Sequence, residues 1–259
     1  MDLHLKDKII IVTGGSKGIG YGICERLVKE GAVPIIVGRN KTSIPEAVNT
    51  LSALGGKVGA VYAELSDPEQ CKKAVEEILV QYGTIDGLVN NAGINDGVGL
   101  EHGNYEHFMA SLHRNVTHYY MMAHYALPSL KKSKGAIVNI GSKTATTGQG
   151  GTSGYAASNG ARNALTREWA VELLPYGIRV NAVIVAECYT PLYQKWINTF
   201  SNPEEKLQQI TTKIPFENRM TTAAEIANTV AFLLSDQSSH TTGQWIHVDG
   251  GYTHLDRAL

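Results

Sequence analysis

Cysteine is scarce in this chain. Cys24, Cys71 and Cys188 are the only three in 259 residues, and none sits in a CxxC pair. A set so small, odd and scattered gives neither a disulfide framework nor a zinc-ligand spacing. An excess of charge is also missing: 23 Lys+Arg stand against 24 Asp+Glu, a net charge of −1. Binding driven by phosphate neutralisation needs a basic excess, so no nucleic-acid partner is expected. No apolar run approaches the roughly 18–20 residues that span a bilayer, so no membrane partner is expected either. Met1 to Lys8 mix acids with apolar residues. That order is not the basic-then-apolar pattern of a signal peptide. A reducing, cytoplasmic setting is the expectation. The histidines, among them His102, His107, His113, His118 and His124, lack HExxH-type spacing, and no metal is expected. Charge blocks, low-complexity tracts and Pro/Gly/Ser linkers are absent, so nothing divides the chain, and one domain over 1–259 is expected.

What is present is an alternation. Ile9-Ile10-Ile11-Val12 is a continuous β-branched run, as in a strand buried on both faces. Similar runs follow at Val33 to Val37, Val58 to Tyr62, Gly87 to Val89, Ala136 to Ile140, Ile178 to Val185 and Trp245 to Val248. Helical patterns lie between them. Cys71, Val75, Ile78, Leu79 and Tyr82 share one helix face. Asp67 and Pro68 open that helix as N-cap and first-turn proline, and Gly83 closes it. Strand and helix in alternation predict an α/β, single-domain, doubly wound parallel sheet, Rossmann-like, with about seven strands.

After the first run comes Thr13-Gly14-Gly15-Ser16-Lys17-Gly18-Ile19-Gly20. Glycines at 14, 18 and 20 suit a tight turn, close approach of a pyrophosphate and a helix N-terminus aimed at it. The spacing is not that of a P-loop. The second run ends in Gly38-Arg39, with no acid at the tip. An acid there would bind the ribose hydroxyls of NAD, and an Arg the 2′-phosphate of NADP. Arg39 and Lys17 therefore favour NADP, with NAD the alternative.

At this point the chain resembles the short-chain dehydrogenase/reductase family over nearly its whole length. The likeness rests on residues 13–20, Asn90-Asn91-Ala92-Gly93, Asn115, Ser142 and Tyr155. It implies a catalytic set of Ser142, Tyr155 and Asn115. Ser142 would orient the substrate oxygen, Tyr155 would exchange its proton, and Asn115 would tie a relay through a water. It implies a cofactor site of Gly14, Ser16, Lys17, Gly18, Ile19, Gly20, Arg39, Glu64, Leu65, Asn91, Ala92, Gly93 and Thr190. A homotetramer is also implied. The stripe Ala161, Ala164, Leu165, Trp169 and Leu173 and the tail residues Leu255 and Leu259 would need cover.

One member is absent. The family has lysine four residues after the tyrosine, and this chain has Asn159. Positions i and i+4 share a helix face, so Asn159 is expected to face the cofactor ribose beside Tyr155. A lysine that favours a phenolate by about 2–3 pH units contributes roughly 3–4 kcal/mol. Its loss is expected to slow the reaction on the order of 10²–10³-fold. Lys143 is the other cation beside a catalytic position. Three readings of Asn159 stand: a substitution introduced to trap a complex, a variant with weakened or altered chemistry, and a non-catalytic nucleotide-sensing protein of the same fold.

For the substrate, Glu187 and Gln149 suit vicinal hydroxyls. A steroid or acyl pocket would leave them unpaired at about 1–3 kcal/mol each. The candidate substrate residues are Asn95, Lys143, Gln149, Glu187 and Trp196, under a helical lid around 189–213. Stretches such as Asn91 to Gly97, His118-Tyr119-Tyr120 and Asp249 to Leu259 resemble the L-fucose dehydrogenase branch of the family. That likeness implies oxidation of the anomeric hydroxyl of L-fucose, or a sugar such as D-arabinose, to the lactone. A 3-oxoacyl, ketone or steroid reductase is the alternative.

Overall fold

The seven apolar runs are the seven strands. The computed structural model describes residues 1–255. The strands are β1 (Ile9–Thr13), β2 (Val33–Gly38), β3 (Gly59–Tyr62), β4 (Gly87–Asn90), β5 (Ala136–Ser142), β6 (Arg179–Val185) and β7 (Trp245–Val248). All neighbours pair in parallel, in the order β3-β2-β1-β4-β5-β6-β7. The chain winds outward from β1 in one direction, then returns to place β4 on its other side. That reversal opens a crevice at the carboxyl ends of β1 and β4.

Alternate strand residues feed opposite faces. Ile10, Val12, Val89 and Val138 pack with Ile23 and Leu27 of α1 (Gly18–Lys29) and Ile226 and Val230 of α9 (Ala223–Leu234). Ile9, Ile11, Leu88 and Ile137 pack with Ile78 of α3 (Pro68–Tyr82) and Met122 of α5 (His118–Ser133). Each such aliphatic side chain contributes about 1.5–3 kcal/mol of burial. The α3 boundaries follow the local chemistry. Asp67 accepts from the Glu69 and Gln70 amides, and Gly83 ends the helix at φ 76°.

Two further helices, α2 (Ser43–Ser52) and α4 (Tyr105–Leu112), complete the first half. Between α4 and α5 the backbone widens into a π-turn over His113–Thr117 that carries Asn115. Such turns recur at functional sites. α6 (Ser153–Glu172) buries an unusually polar face: Ser158, Asn159, Arg162, Asn163 and Thr166.

Residues 189–213 carry two short helices, α7 (Pro191–Ile197) and α8 (Pro203–Thr211). Asn202 caps the Glu205 amide and Pro203 takes the first turn, so a new helix must start there. Of the α6 stripe, Trp169 and Leu173 are buried against the chain's own sheet, while Ala161 and Leu165 are half-buried and Ala164 is exposed. Leu255 is exposed, and Leu259 lies outside the described residues. Among the described residues no helix is long and apolar enough to cross a membrane, and no cluster of His, Cys, Asp and Glu is placed to hold a metal.

Candidate functional site

A cavity of about 540 Å³ opens at the crevice. At one end stands the N-terminus of α1. Lys17 is its N-cap and makes no side-chain capping bond, so the first amides lack a side-chain acceptor. A Cβ on Gly20 would lie 2.4 Å from the Gly14 carbonyl, so the turn closes only with glycine. The Thr13 hydroxyl accepts from the Asn91 and Ala92 amides at 2.9 and 3.1 Å, which fixes the loop after β4 beside this turn. Free amides, the helix dipole and Lys17 on the wall fit the pyrophosphate of a dinucleotide. Gly14, Lys17, Gly18, Ile19, Gly20, Asn91, Ala92, Gly93 and Thr190 all line the cavity.

Four expected cofactor residues lie off its wall. Ser16 pairs its hydroxyl with Ser43 at 3.1 Å. Arg39, at the tip of β2, forms an ion pair with Glu64 at 2.5 Å. Glu64 also accepts from the Ser66 amide and hydroxyl. Burial raises the Glu64 carboxyl, but the Arg39 and Ser66 bonds outweigh it and hold the group below its usual range. Leu65 follows on the same loop, packed against the sheet.

At the other end, Ser142 from the end of β5 and Tyr155 from α6 open onto the same cavity. The Ser142 hydroxyl accepts from Thr144 Oγ1 at 3.1 Å. Asn115 is fully buried. Its Oδ1 accepts from the Ile94 amide at 2.8 Å and its Nδ2 donates to the Ser111 carbonyl at 3.0 Å. Its own carbonyl receives Arg162 Nε at 2.7 Å and Nη2 at 2.5 Å.

Asn159 does not face the cavity as expected. It is fully buried. Its Nδ2 donates to the Tyr155 carbonyl at 2.9 Å, and its Oδ1 accepts from Arg162 Nη1 at 3.0 Å. The short amide bends back into the helix where a long lysine stem would extend past it.

The substrate candidates divide. Asn95 lines the cavity. Buried Lys143 and half-buried Glu187 form an ion pair just behind it, with the Lys143 ammonium also over the Tyr252 ring. Lys143 is therefore matched by Glu187 and is not a spare cation. Burial and the Glu187 carboxylate raise the Tyr193 phenol, which reaches the cavity from α7 and hydrogen-bonds Glu187. Gln149 sits exposed on the loop after β5, away from the cavity. Trp196 stands edge-on between Tyr193 and Phe200, each 5.1 Å away, and packs the helices rather than the cavity.

Two site residues escape a reading of the sequence alone. Tyr193 has no motif of its own. Arg162 does carry a signal, because positions 155, 159 and 162 fall at i, i+4 and i+7 on one face of α6.

This geometry, two hydroxyls and a helix N-terminus on one cavity at a sheet reversal, is that of a dinucleotide-dependent oxidoreductase. A family profile described as "Enoyl-(Acyl carrier protein) reductase" matches residues 14–253. The 3-oxoacyl-[acyl-carrier-protein] reductase FabG of Thermotoga maritima is 34 % identical over 96 % of this chain and 99 % of its own. A 3alpha-hydroxysteroid dehydrogenase of Mediterraneibacter gnavus is 32 % identical over 96 % and 98 %. Among solved structures, the Cj0485 dehydrogenase superposes with a TM-score of 0.94 at 45 % identity, over 100 % of this chain and 99 % of that one. The Thermoplasma acidophilum aldohexose dehydrogenase does so with 0.90 at 31 %, over the same shares. The chain belongs to the short-chain dehydrogenase/reductase family, whose members are NAD(P)-dependent oxidoreductases.

Proposed function

We propose that the protein is an NADP-preferring sugar dehydrogenase that oxidises the anomeric hydroxyl of L-fucose, or of a sugar such as D-arabinose, to the lactone. The observation that carries this reading is the ion pair of buried Lys143 and half-buried Glu187, with Tyr193 against it. A fixed, charged, hydrogen-bonding wall behind the cavity suits a polyhydroxylated substrate and costs a lipid-like one its desolvation. The likeness to an aldohexose dehydrogenase agrees with it.

A dinucleotide held by Lys17 and the glycine turn would supply the hydride acceptor for oxidation at the anomeric carbon. Ser142 donates a hydrogen bond to the substrate oxygen and holds it toward Tyr155. Tyr155 takes the hydroxyl proton as the carbonyl of the lactone forms. The amides opening α1, with Lys17, hold the pyrophosphate. Arg39 neutralises Glu64, so the 2′ position meets no uncompensated carboxylate.

A ketone, 3-oxoacyl or steroid substrate is the second reading, favoured by the FabG and hydroxysteroid dehydrogenase relatives. One assay separates the two. Turnover of L-fucose and D-arabinose with NADP⁺ and NAD⁺ is compared with reduction of a 3-oxoacyl thioester and a 3-oxosteroid. Selective turnover of the sugars is the expected result. Turnover of the ketones alone overturns the sugar reading.

A further inference from the structure

Arg162 is 3 % exposed and places its guanidinium in the interior of the protein. Its hydrogen-bond acceptors are neutral: the Asn115 carbonyl, the Ile140 carbonyl and Asn159 Oδ1. Among the described residues it forms no ion pair with a carboxylate. A buried cation with no anion beside it is costly. A group that becomes negative only during the reaction would repay it.

Two phenol rings lie under the guanidinium. Tyr119 is 4.3 Å from it, fully buried, and donates its hydroxyl to the Ile140 carbonyl at 3.0 Å. Burial raises that phenol, so it stays neutral. Tyr155 is 5.9 Å away, and it alone of the two opens onto the cavity. The chain makes room for the guanidinium, since a Cβ on Gly93 would lie 2.8 Å from Nη2.

We propose that Arg162 is the cation that favours the Tyr155 phenolate, doing from one helical turn further along α6 what a lysine at 159 would do. Asn159 then acts as its brace, and Arg162 is a positioning residue acting through Tyr155. The proposal rests on Tyr155 being the proton acceptor, not on which substrate is oxidised.

Other ionisable groups around Tyr155 do not supply this charge. His118, from α5, is held neutral, pushed down to about 3 by burial and by Arg162 itself. Burial pushes the Cys188 thiol up to about 12. Lys143 is matched by Glu187, and Tyr193 bonds to that same carboxylate. Lys17 and Lys195 line the cavity from the α1 turn and α7, and the test leaves both in place.

The test is alkaline titration of tyrosinate absorbance in the ligand-free protein. Subtracting the curve of Tyr155→Phe isolates the Tyr155 transition. A unit charge about 6 Å from the phenol ring, at an effective dielectric of about 20, moves its ionisation by about 2 pH units. Arg162→Leu is expected to raise the Tyr155 midpoint by about that much, and Arg162→Lys, which keeps the charge, to leave most of it in place. Asn159→Lys/Arg162→Leu should bring the midpoint back. An Arg162→Leu midpoint equal to that of the starting protein overturns the proposal. If Arg162→Leu does not fold, Arg162→Lys decides: a retained midpoint supports the electrostatic role, and a rise of about 2 units assigns Arg162 a purely structural one. With L-fucose and NADP⁺, kcat should fall roughly 10²-fold in Arg162→Leu and recover in the double variant. Inactivity of every form toward sugars would overturn the substrate reading and leave the titration to decide this one.

Discussion

The side-chain oxygen of Asn159 accepts a hydrogen bond from Arg162 Nη1 at 3.0 Å, and both residues are buried. The pair fills the space a lysine at 159 would use. Asn159→Lys alone therefore brings a second cation, an ammonium, beside the Arg162 guanidinium with no carboxylate to separate them. Unfolding in urea should show a loss of about 2–4 kcal/mol, with no gain in kcat. Higher kcat in that variant would show that residue 159 is still an open place for charge, as the family pattern suggests.

Much of the fold was legible because burial on both faces leaves β-branched runs, and caps leave residue signatures. The Asp67–Gly83 helix and the glycine turn are local chemistry, and local chemistry is written in adjacent residues. Arg162 was hidden by its type, since an arginine on a helix ordinarily lies at the surface. Only the fold shows that Asn115 and Ile140 turn their carbonyls toward it. Lys143 and Glu187 are 44 positions apart, and nothing local announces that they meet. Gln149 is the opposite case: close to Ser142 in sequence, it sits exposed on the loop after β5 and does not line the cavity.

In the NADP reading, cofactor choice turns on Arg39 and Glu64. Arg39→Ala should weaken NADP⁺ roughly ten-fold or more and leave NAD⁺ nearly unchanged, as titrated by protein fluorescence. Glu64→Gln releases Arg39 from its carboxylate and should tighten NADP⁺ selectively. Equal effects on both cofactors would place the 2′ position elsewhere.

Glu187→Gln leaves the Lys143 ammonium buried without its carboxylate. Breaking such a pair from one side costs about 3–5 kcal/mol. Lys143→Met/Glu187→Gln should recover much of that loss, and the difference measures the coupling. In the sugar reading both variants also raise KM for L-fucose, because the wall behind Tyr193 is altered. A KM that stays constant while stability falls would reduce the pair to a structural role.

His118 sets a pH dependence of stability whose sign follows from its burial. Its Nε2 lies 3.1 Å from the Arg114 carbonyl, and burial together with the Arg162 charge lowers the imidazole from 6.5 to about 3. Between those two values the unfolded chain binds a proton at this position and the folded chain does not. Stability from this group is thus complete above about 6.5 and falls as pH drops toward about 3. The slope approaches about 1.4 kcal/mol per pH unit once the unfolded imidazole is charged. Urea unfolding at pH 7.5, 6.5 and 5.5 should show the onset of this loss at the acid end. His118→Gln keeps an amide donor for the Arg114 carbonyl but cannot titrate. Its stability should be flatter across the same range, and a slope identical to that of the starting protein would assign the acid sensitivity to the carboxylates instead.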